Sequence, residues 1–179
     1  MGTLKSGNII PKNKKATPQN FQGYVDAVKE DDLNKALSGQ MPAAEVFFQS
    51  ISEELSTRRY AEGKWTIKEL LQHIIDAERV FAYRALCFAR KEQSILPSFS
   101  ENDYASNSNA NDRKWAEIIS EFSSVRKSTE DLFNSFNIEA LQSVGKASNY
   151  SMDVTTLGFV IVGHVNHHIR IIKERYIGV

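Results

Sequence analysis

The sequence has little of several features that mark whole classes of protein. Cys87 is its one cysteine in 179 residues, which excludes an intrachain disulfide and a cysteine-based zinc cluster. The 22 Lys and Arg residues balance 22 Asp and Glu residues, so no net basic charge favours nucleic acid or an anionic membrane surface. No apolar run approaches the roughly 20 residues that span a bilayer. We therefore expect a cytoplasmic protein with neither nucleic-acid nor membrane partners.

Motifs for organic cofactors and for nucleophilic serine are also absent. The sequence has no P-loop, no glycine-rich dinucleotide fingerprint and no nucleophile-elbow serine, so we expect no organic cofactor. Residues 1–20, MGTLKSGNIIPKNKKATPQN, lack the apolar region of a secretory signal and are typical of a flexible polar arm. Residues 21–179 are predicted to form one domain, long enough to bury a core without disulfides.

Apolar residues at helical spacing dominate what is present. A short helix is predicted over 21–28, and a long one begins near Asp31, where Pro42 predicts a kink or a fresh start. The next helix begins at Thr66, because Glu69 three residues later completes a capping box.

Two further long helices are predicted over 112–136 and 155–176, separated from their neighbours by the connections 92–111 and 137–154. Both connections are rich in polar residues and are expected to be irregular. Strand-type alternation of useful length is not evident. Four long amphipathic helices predict an all-α protein with a four-helix bundle.

Three of the four histidines lie in the segment GHVNHHIRIIKERY, as His164, His167 and His168. His164 and His168 fall on the apolar stripe of the last helix, where leucine or isoleucine would be expected. Histidines at i and i+4 stack on one helix face, which is half of a metal site. Gly163 either allows another helix to approach closely or simply lowers helix stability.

His73 lies beside the apolar stripe of the second long helix. If this helix neighbours the last one, His73 supplies a third nitrogen beside His164 and His168. A lone histidine on an apolar face is usually a core residue with a satisfied hydrogen bond. Three buried polar groups, each costing about 1–3 kcal/mol if unpaired, need a common explanation. Three imidazoles on a divalent ion leave a position for water or substrate, as in catalytic sites.

Two residues are candidates for acid–base chemistry, His167 and Asp76. His167 could compete as a ligand or act behind the ligands, and Asp76 either orients His73 or is a solvent-facing charge. Val165, rather than glutamate, follows His164, which argues against an HExxH peptidase. Asp103 and Tyr104 in the 92–111 connection are expected to line the mouth of the site.

Three segments, GKWTIKELLQHIIDAERVFAYRAL, LPSFSENDYA and GHVNHHIRIIKERY, resemble the DinB-like (DinB/YfiT) superfamily, over about residues 30–177. The resemblance implies a four-helix bundle and a divalent ion, zinc or nickel, held by His73, His164 and His168. His167 need not be a ligand in this branch. Members are described as metal-dependent hydrolases or as thiol S-transferases that use a low-molecular-weight thiol. The resemblance thus implies a small-molecule substrate and leaves the reaction open.

Three functional hypotheses follow. The first is a metal-dependent thiol S-transferase or hydrolase, with a small preference for transfer because a bundle core suits an apolar electrophile. The second is a bundle that binds a metal or small molecule without catalysis, which the lack of an obvious carboxylate base favours. The third is a structural dimer with vestigial histidines. A homodimer fits any of them, since such bundles often expose an apolar helix face.

Overall fold

The computed structural model describes residues 11–12 and 17–178. Its elements, in chain order, are α1 (Gln19–Asp26), α2 (Leu33–Gln49), α3 (Glu53–Ser56), α4 (Ile67–Ala89), α5 (Glu101–Asn107), a 3₁₀ turn (Ala110–Asp112), α6 (Trp115–Asn134), α7 (Ile138–Gln142), β1 (Val144–Ala147), β2 (Tyr150–Asp153), α8 (Val154–Ile171) and a π-helical segment (Ile172–Ile177).

The four long helices α2, α4, α6 and α8 form the predicted bundle. Helix α4 packs against α6 and α8, and α2 packs against the same two helices. The short α1 lies along α8. The sequence prediction of an all-α four-helix bundle is confirmed, and α4 and α8, which carry the histidines, are direct neighbours.

Side-chain caps fix where these two helices begin. Thr66 Oγ1 accepts a hydrogen bond from the Glu69 amide at 3.1 Å, and Glu69 Oε2 accepts one from the Thr66 amide at 2.7 Å. This is the predicted capping box. At the start of α8, Asp153 Oδ1 accepts from the Thr156 amide at 2.6 Å. Each cap satisfies an amide that the first turn leaves without a helical partner.

Of the two alternatives predicted at Pro42, a kink or a fresh start, the fresh start is wrong, because α2 runs through Pro42 from Leu33 to Gln49. Proline removes the hydrogen bond to the carbonyl four residues earlier, which belongs to Ser38. Pro42 and Ser38 are both exposed, so water can satisfy that carbonyl. Burial of Leu33, Leu37 and Phe48 on the other face holds the helix together.

The two connections expected to be irregular contain structure. The first holds α5 and the 3₁₀ turn, and the second holds α7 and the antiparallel hairpin of β1 and β2, in which Val144 pairs with Asp153. Gly145 in β1 lies so close to α4 that an added Cβ would stand 1.9 Å from the Phe88 ring. These elements are too short for a periodic pattern, and tertiary packing stabilises them.

The core has two apolar clusters, and both include residues of α2, α4, α6 and α8. Phe81 and Ile161 belong to one cluster, whereas Ile74 and Val165 belong to the other. His73 and His164 therefore lie where the two clusters meet. No helix in the described part of the chain is both long and apolar enough to cross a membrane.

Most of the predicted arm, residues 1–20, lies outside the described residues. Of its described part, Pro11 forms a β-bridge with Asp32, and the Lys12 ammonium donates to the Val28 carbonyl. Helix α1 begins at Gln19, so the predicted helix over 21–28 is present with slightly earlier bounds.

Candidate metal centre

Adjacent helices bring three of the four histidines together inside the bundle. His73 comes from α4, and His164 and His168 come from successive turns of α8. Only 3%, 4% and 9% of their respective surfaces are exposed. The i, i+4 spacing on α8 and the contact of α4 with α8 are the two features that the sequence argument required.

The imidazole nitrogens converge on one another. Nε2 of His164 lies 3.1 Å from Nε2 of His73 and 3.0 Å from Nε2 of His168. One ligand atom from each histidine fits within a span of 4.8 Å. Nitrogens about 2.1 Å from a tetrahedral zinc ion stand about 3.4 Å apart, so this spacing is close to that of a ligand set.

Hydrogen bonding among the three rings does not explain this arrangement well. A neutral imidazole nitrogen either donates one hydrogen bond or accepts one, yet Nε2 of His164 faces two other nitrogens. In addition, His168 Nδ1 is buried without a hydrogen-bond partner among the described residues. An unsatisfied buried polar atom costs about 1–3 kcal/mol. A shared cation would satisfy the lone pairs of the three converging Nε2 atoms, and it would not reach His168 Nδ1.

Burial holds the three rings neutral. It lowers the pKa of His73 to about 4, and burial followed by repulsion from His73 and His167 lowers the pKa of His168 to about 2. Burial, reinforced by the neighbouring histidines, also lowers the pKa of His164 well below its ordinary value. Neutral imidazole is the form that binds metal, so the site is ready to ligate at pH 7.

Aromatic rings surround the histidines. Trp65 packs on His73 at 4.9 Å between ring centroids, Phe81 meets His164 edge-on at 6.0 Å, and Tyr24 meets His164 edge-on at 5.4 Å. Sequence reasoning missed Tyr24 and Trp65 as site residues, because neither lies on a helix stripe that includes a histidine. The surroundings suit an apolar ligand.

Gly163 explains how Tyr24 comes so close. A Cβ added to Gly163 would stand 1.9 Å from the backbone oxygen of Tyr24, so the backbone of α1 rests directly on α8. Of the two alternatives raised by the sequence, close approach of a helix is therefore correct. The glycine brings Tyr24 beside both His164 and His167, whose ring is 5.3 Å from that of Tyr24.

The two acid–base candidates stand apart from the three nitrogens. His167 is partly exposed, with Nδ1 3.4 Å from Nη2 of Arg170, and burial lowers its pKa. Asp76 accepts from Gln72 at 3.0 Å and pairs with Arg79 at 3.5 Å, and burial raises its pKa. The described hydrogen bonds of Asp76 do not include one to His73.

The two loop residues predicted at the mouth of the site lie on α5. Asp103 and Tyr104 line a surface groove together with Asp76 and Arg79. They therefore stand beside Asp76, on the outer side of α4.

Comparison with known proteins agrees with this fold. Residues 15–172 match the model of the DinB superfamily. Among solved structures, the chain is similar to YfiT from Bacillus subtilis, described as a probable metal-dependent hydrolase with an unusual four-helix bundle topology. The two share 13% sequence identity with a TM-score of 0.68, over 94% of this chain and 92% of YfiT. The comparison with curated proteins finds no match. Since the family model covers most of its length, the chain belongs to the DinB superfamily.

Proposed function

We propose that the protein binds one divalent ion, zinc or nickel, through His73, His164 and His168, and acts on a small-molecule substrate there. The observation that carries the proposal is the convergence of three buried ring nitrogens within 4.8 Å. Imidazole suits both zinc and nickel. Three protein ligands leave a coordination position for a further group, the arrangement typical of catalytic sites.

The bound ion would supply Lewis acidity and lower the pKa of a coordinated water or thiol. The chain's own residues contribute the remaining properties of the site. Trp65, Phe81 and Tyr24 exclude water and offer apolar contacts to a substrate. His167 is the better placed of the two candidate bases, because its ring lies 5.0 Å from that of His168 and is partly exposed. Asp76 is engaged with Gln72 and Arg79.

Transfer of a low-molecular-weight thiol to an apolar electrophile is the reaction that we favour, with hydrolysis of an ester or amide second. The aromatic surroundings support the first, since an electrophile with an apolar body would be desolvated beside the thiol. Both reactions release a proton, from the thiol or from the water, and the described residues place no carboxylate in hydrogen bonding with the three histidines to accept it. The same observation favours a non-catalytic metal-binding bundle as the alternative.

Two measurements test the proposal. Elemental analysis after desalting should find about one zinc or nickel ion per chain, because one three-histidine cluster exists. Metal-loaded protein is then assayed with glutathione, cysteine or bacillithiol and monobromobimane, and separately with 4-nitrophenyl acetate. We expect metal-dependent thioether formation that His164→Ala abolishes.

Each outcome has a distinct meaning. A protein that retains no ion after reconstitution would refute the ligand assignment. Stoichiometric metal with no turnover of either substrate class would favour the binding bundle. Turnover of the ester alone would favour hydrolysis. Lys127→Ala is a control for the histidine variants, because it changes an exposed residue of α6 that pairs with Asp131 at the surface.

A further inference from the structure

Arg84 on α4 is a buried arginine without an acidic partner. Only 4% of its surface is exposed. Its guanidinium donates to Tyr150 Oη at 2.6 Å and to the Pro97 carbonyl at 2.8 Å, both neutral acceptors. No carboxylate of residues 11–12 or 17–178 forms an ion pair with it, and residues 1–10 and 13–16 contain no Asp or Glu. Buried charges are ordinarily paired, so this one needs an explanation.

Three aromatic rings hold the guanidinium in place. Its Cζ lies 6.0 Å from the ring centroid of Phe81, 5.8 Å from that of Phe99 and 5.8 Å from that of Tyr150. Cation–π attraction compensates part of the lost hydration without neutralising the charge. Two of the five guanidinium N–H donors are used by Tyr150 and Pro97. The side chain is therefore fixed in position and retains both charge and donors for a ligand.

Arg84 lines a groove on the outer side of α4. The groove has a volume of about 320 Å³, and its other lining residues include Val80, Tyr83, Leu96, Pro97, Phe99 and Tyr104. Tyr83 and Tyr104 are 57% and 46% exposed, so their rings flank an open entrance. Arg79 also lines the groove, but its charge is paired with Glu121 at 2.6 Å.

We infer that this groove binds a small organic carboxylate with a flat apolar body. The carboxylate would meet the guanidinium of Arg84, whose planar fork suits it. The body would lie between the ring of Tyr83 and the pair formed by Phe99 and Tyr104, whose ring centroids are 5.1 Å apart. Charge complementarity selects the anion, and the aromatic walls select against small hydrophilic anions such as acetate.

The groove is separate from the histidines but near them. Phe81 stands between the two sites, with its ring 6.0 Å from the His164 ring and 6.0 Å from Arg84 Cζ. The inference does not depend on a bound metal. Combined with the proposed function, the inference means that the substrate carries a carboxylate. The ring of Phe81 would separate this carboxylate from the reacting centre at the histidines.

The test uses benzoate as probe on the full-length protein after chelation, with binding followed by calorimetry or by NMR of the arginine side chains. We expect saturable binding at pH 7, at least tenfold weaker binding of neutral benzamide, and loss of benzoate binding in Arg84→Met. Arg90→Met is the control and should bind as the wild type does. Arg90 lies at the end of the same helix, also over an aromatic ring, at 5.7 Å from Phe136.

Further variants keep the inference open to refutation if Arg84→Met fails to fold. Tyr104→Ala changes a half-exposed groove residue and should weaken benzoate binding severalfold. Equal affinity for benzoate and benzamide, or unchanged binding in Arg84→Met, would overturn the inference. So would binding that appears only after zinc loading and disappears in His164→Ala, since the carboxylate would then sit at the histidines. Failure to retain metal, by contrast, would affect only the proposed function.

Discussion

Two buried polar clusters cross the bundle, and they differ in how well their atoms are satisfied. In the first, Arg126 of α6 donates to both carboxylate oxygens of Glu78 on α4, at 2.8 and 2.9 Å, and to Gln40 of α2 at 2.7 Å. Gln40 in turn donates to the Val162 carbonyl and to Asn166 of α8, at 2.7 and 2.6 Å. This network ties all four long helices together with its charges paired.

The second cluster, His73, His164 and His168, is equally buried but chemically incomplete. Two close contacts converge on one nitrogen, and His168 Nδ1 has no partner among the described residues. The contrast distinguishes buried polar residues that satisfy one another from buried polar residues that remain available to a ligand. A buried network that satisfies itself stabilises and specifies the fold, whereas one that presents converging lone pairs is a candidate site for a ligand from outside the chain.

Breaking the first cluster should have the largest effect on stability. Glu78→Gln removes the partner of a fully buried guanidinium, and an uncompensated buried charge costs about 3–5 kcal/mol. We expect that loss in the free energy of unfolding measured with urea. Asp131→Asn is the control, because Asp131 pairs with Lys127 at the exposed surface, where ion pairs contribute little. A similarly small loss in both variants would contradict the structural role of the network.

Binding of a divalent ion to the second cluster should raise the free energy of unfolding by a comparable but smaller amount. An ion that binds only the folded state adds RT ln(1 + [L]/Kd), about 3–4 kcal/mol at several hundred times Kd. Zinc should therefore raise the unfolding free energy of the wild type and leave that of His164→Ala unchanged. Circular dichroism should show the same helix content before and after chelation, because the apolar clusters fold without the ion. Loss of helices on chelation would instead indicate a structural metal.

The four histidines should differ in their contribution to affinity. Alanine at His73, His164 or His168 should weaken zinc binding more than 100-fold, because each removes a converging nitrogen. His167→Ala should weaken it less than about tenfold, or about 1.4 kcal/mol, since His167 contacts Arg170 and Tyr24 and lies outside the cluster. Competition with a chromophoric chelator measures all four. Equal losses for His167→Ala and His168→Ala would contradict the assignment of His168, and not His167, as the ligand that pairs with His164 on α8.

The two clusters also differ in how far the sequence predicts them. His164 and His168 were identifiable because histidine replaced leucine on a regular stripe, and the Thr66–Glu69 capping box located α4 to the residue. The convergence of His73 with them depended on which helices are neighbours, which periodicity does not determine. The pairing of Arg126 with Glu78 was not predicted, since a charged residue within a helix ordinarily lies on the face exposed to solvent.

Short elements and contacts between distant segments were the other limits. Helix α5 and the β1–β2 hairpin were expected to be irregular, because four to seven residues show no reliable period. Tyr24 reaches His164 only because Gly163 admits α1, a contact between residues far apart in sequence. Arg84 likewise gives no local sign of burial: its aromatic partners come from α4, the following loop and β2.

The smallest effect that distinguishes the clusters is the pH dependence of stability in chelated protein. Burial lowers the pKa of His73 to about 4 and of His168 to about 2, while in the unfolded chain both titrate near 6.5. The unfolded state therefore binds more protons below pH 6.5, so stability is full above that pH and falls as the solution is acidified. Each buried histidine should contribute about 1 kcal/mol of loss between pH 6.5 and 5.5.

His168→Leu should remove one such contribution, flattening the dependence of the urea-unfolding free energy on pH over that interval. Asp131→Asn should leave the slope unchanged, because its carboxylate is exposed. A bound ion should leave the slope over that interval unchanged, since burial already keeps the three imidazoles free of the protons that would compete with it. If His168→Leu and the wild type lose stability equally between pH 6.5 and 5.5, His168 is protonated in the folded protein, and the cluster does not present three neutral ligands.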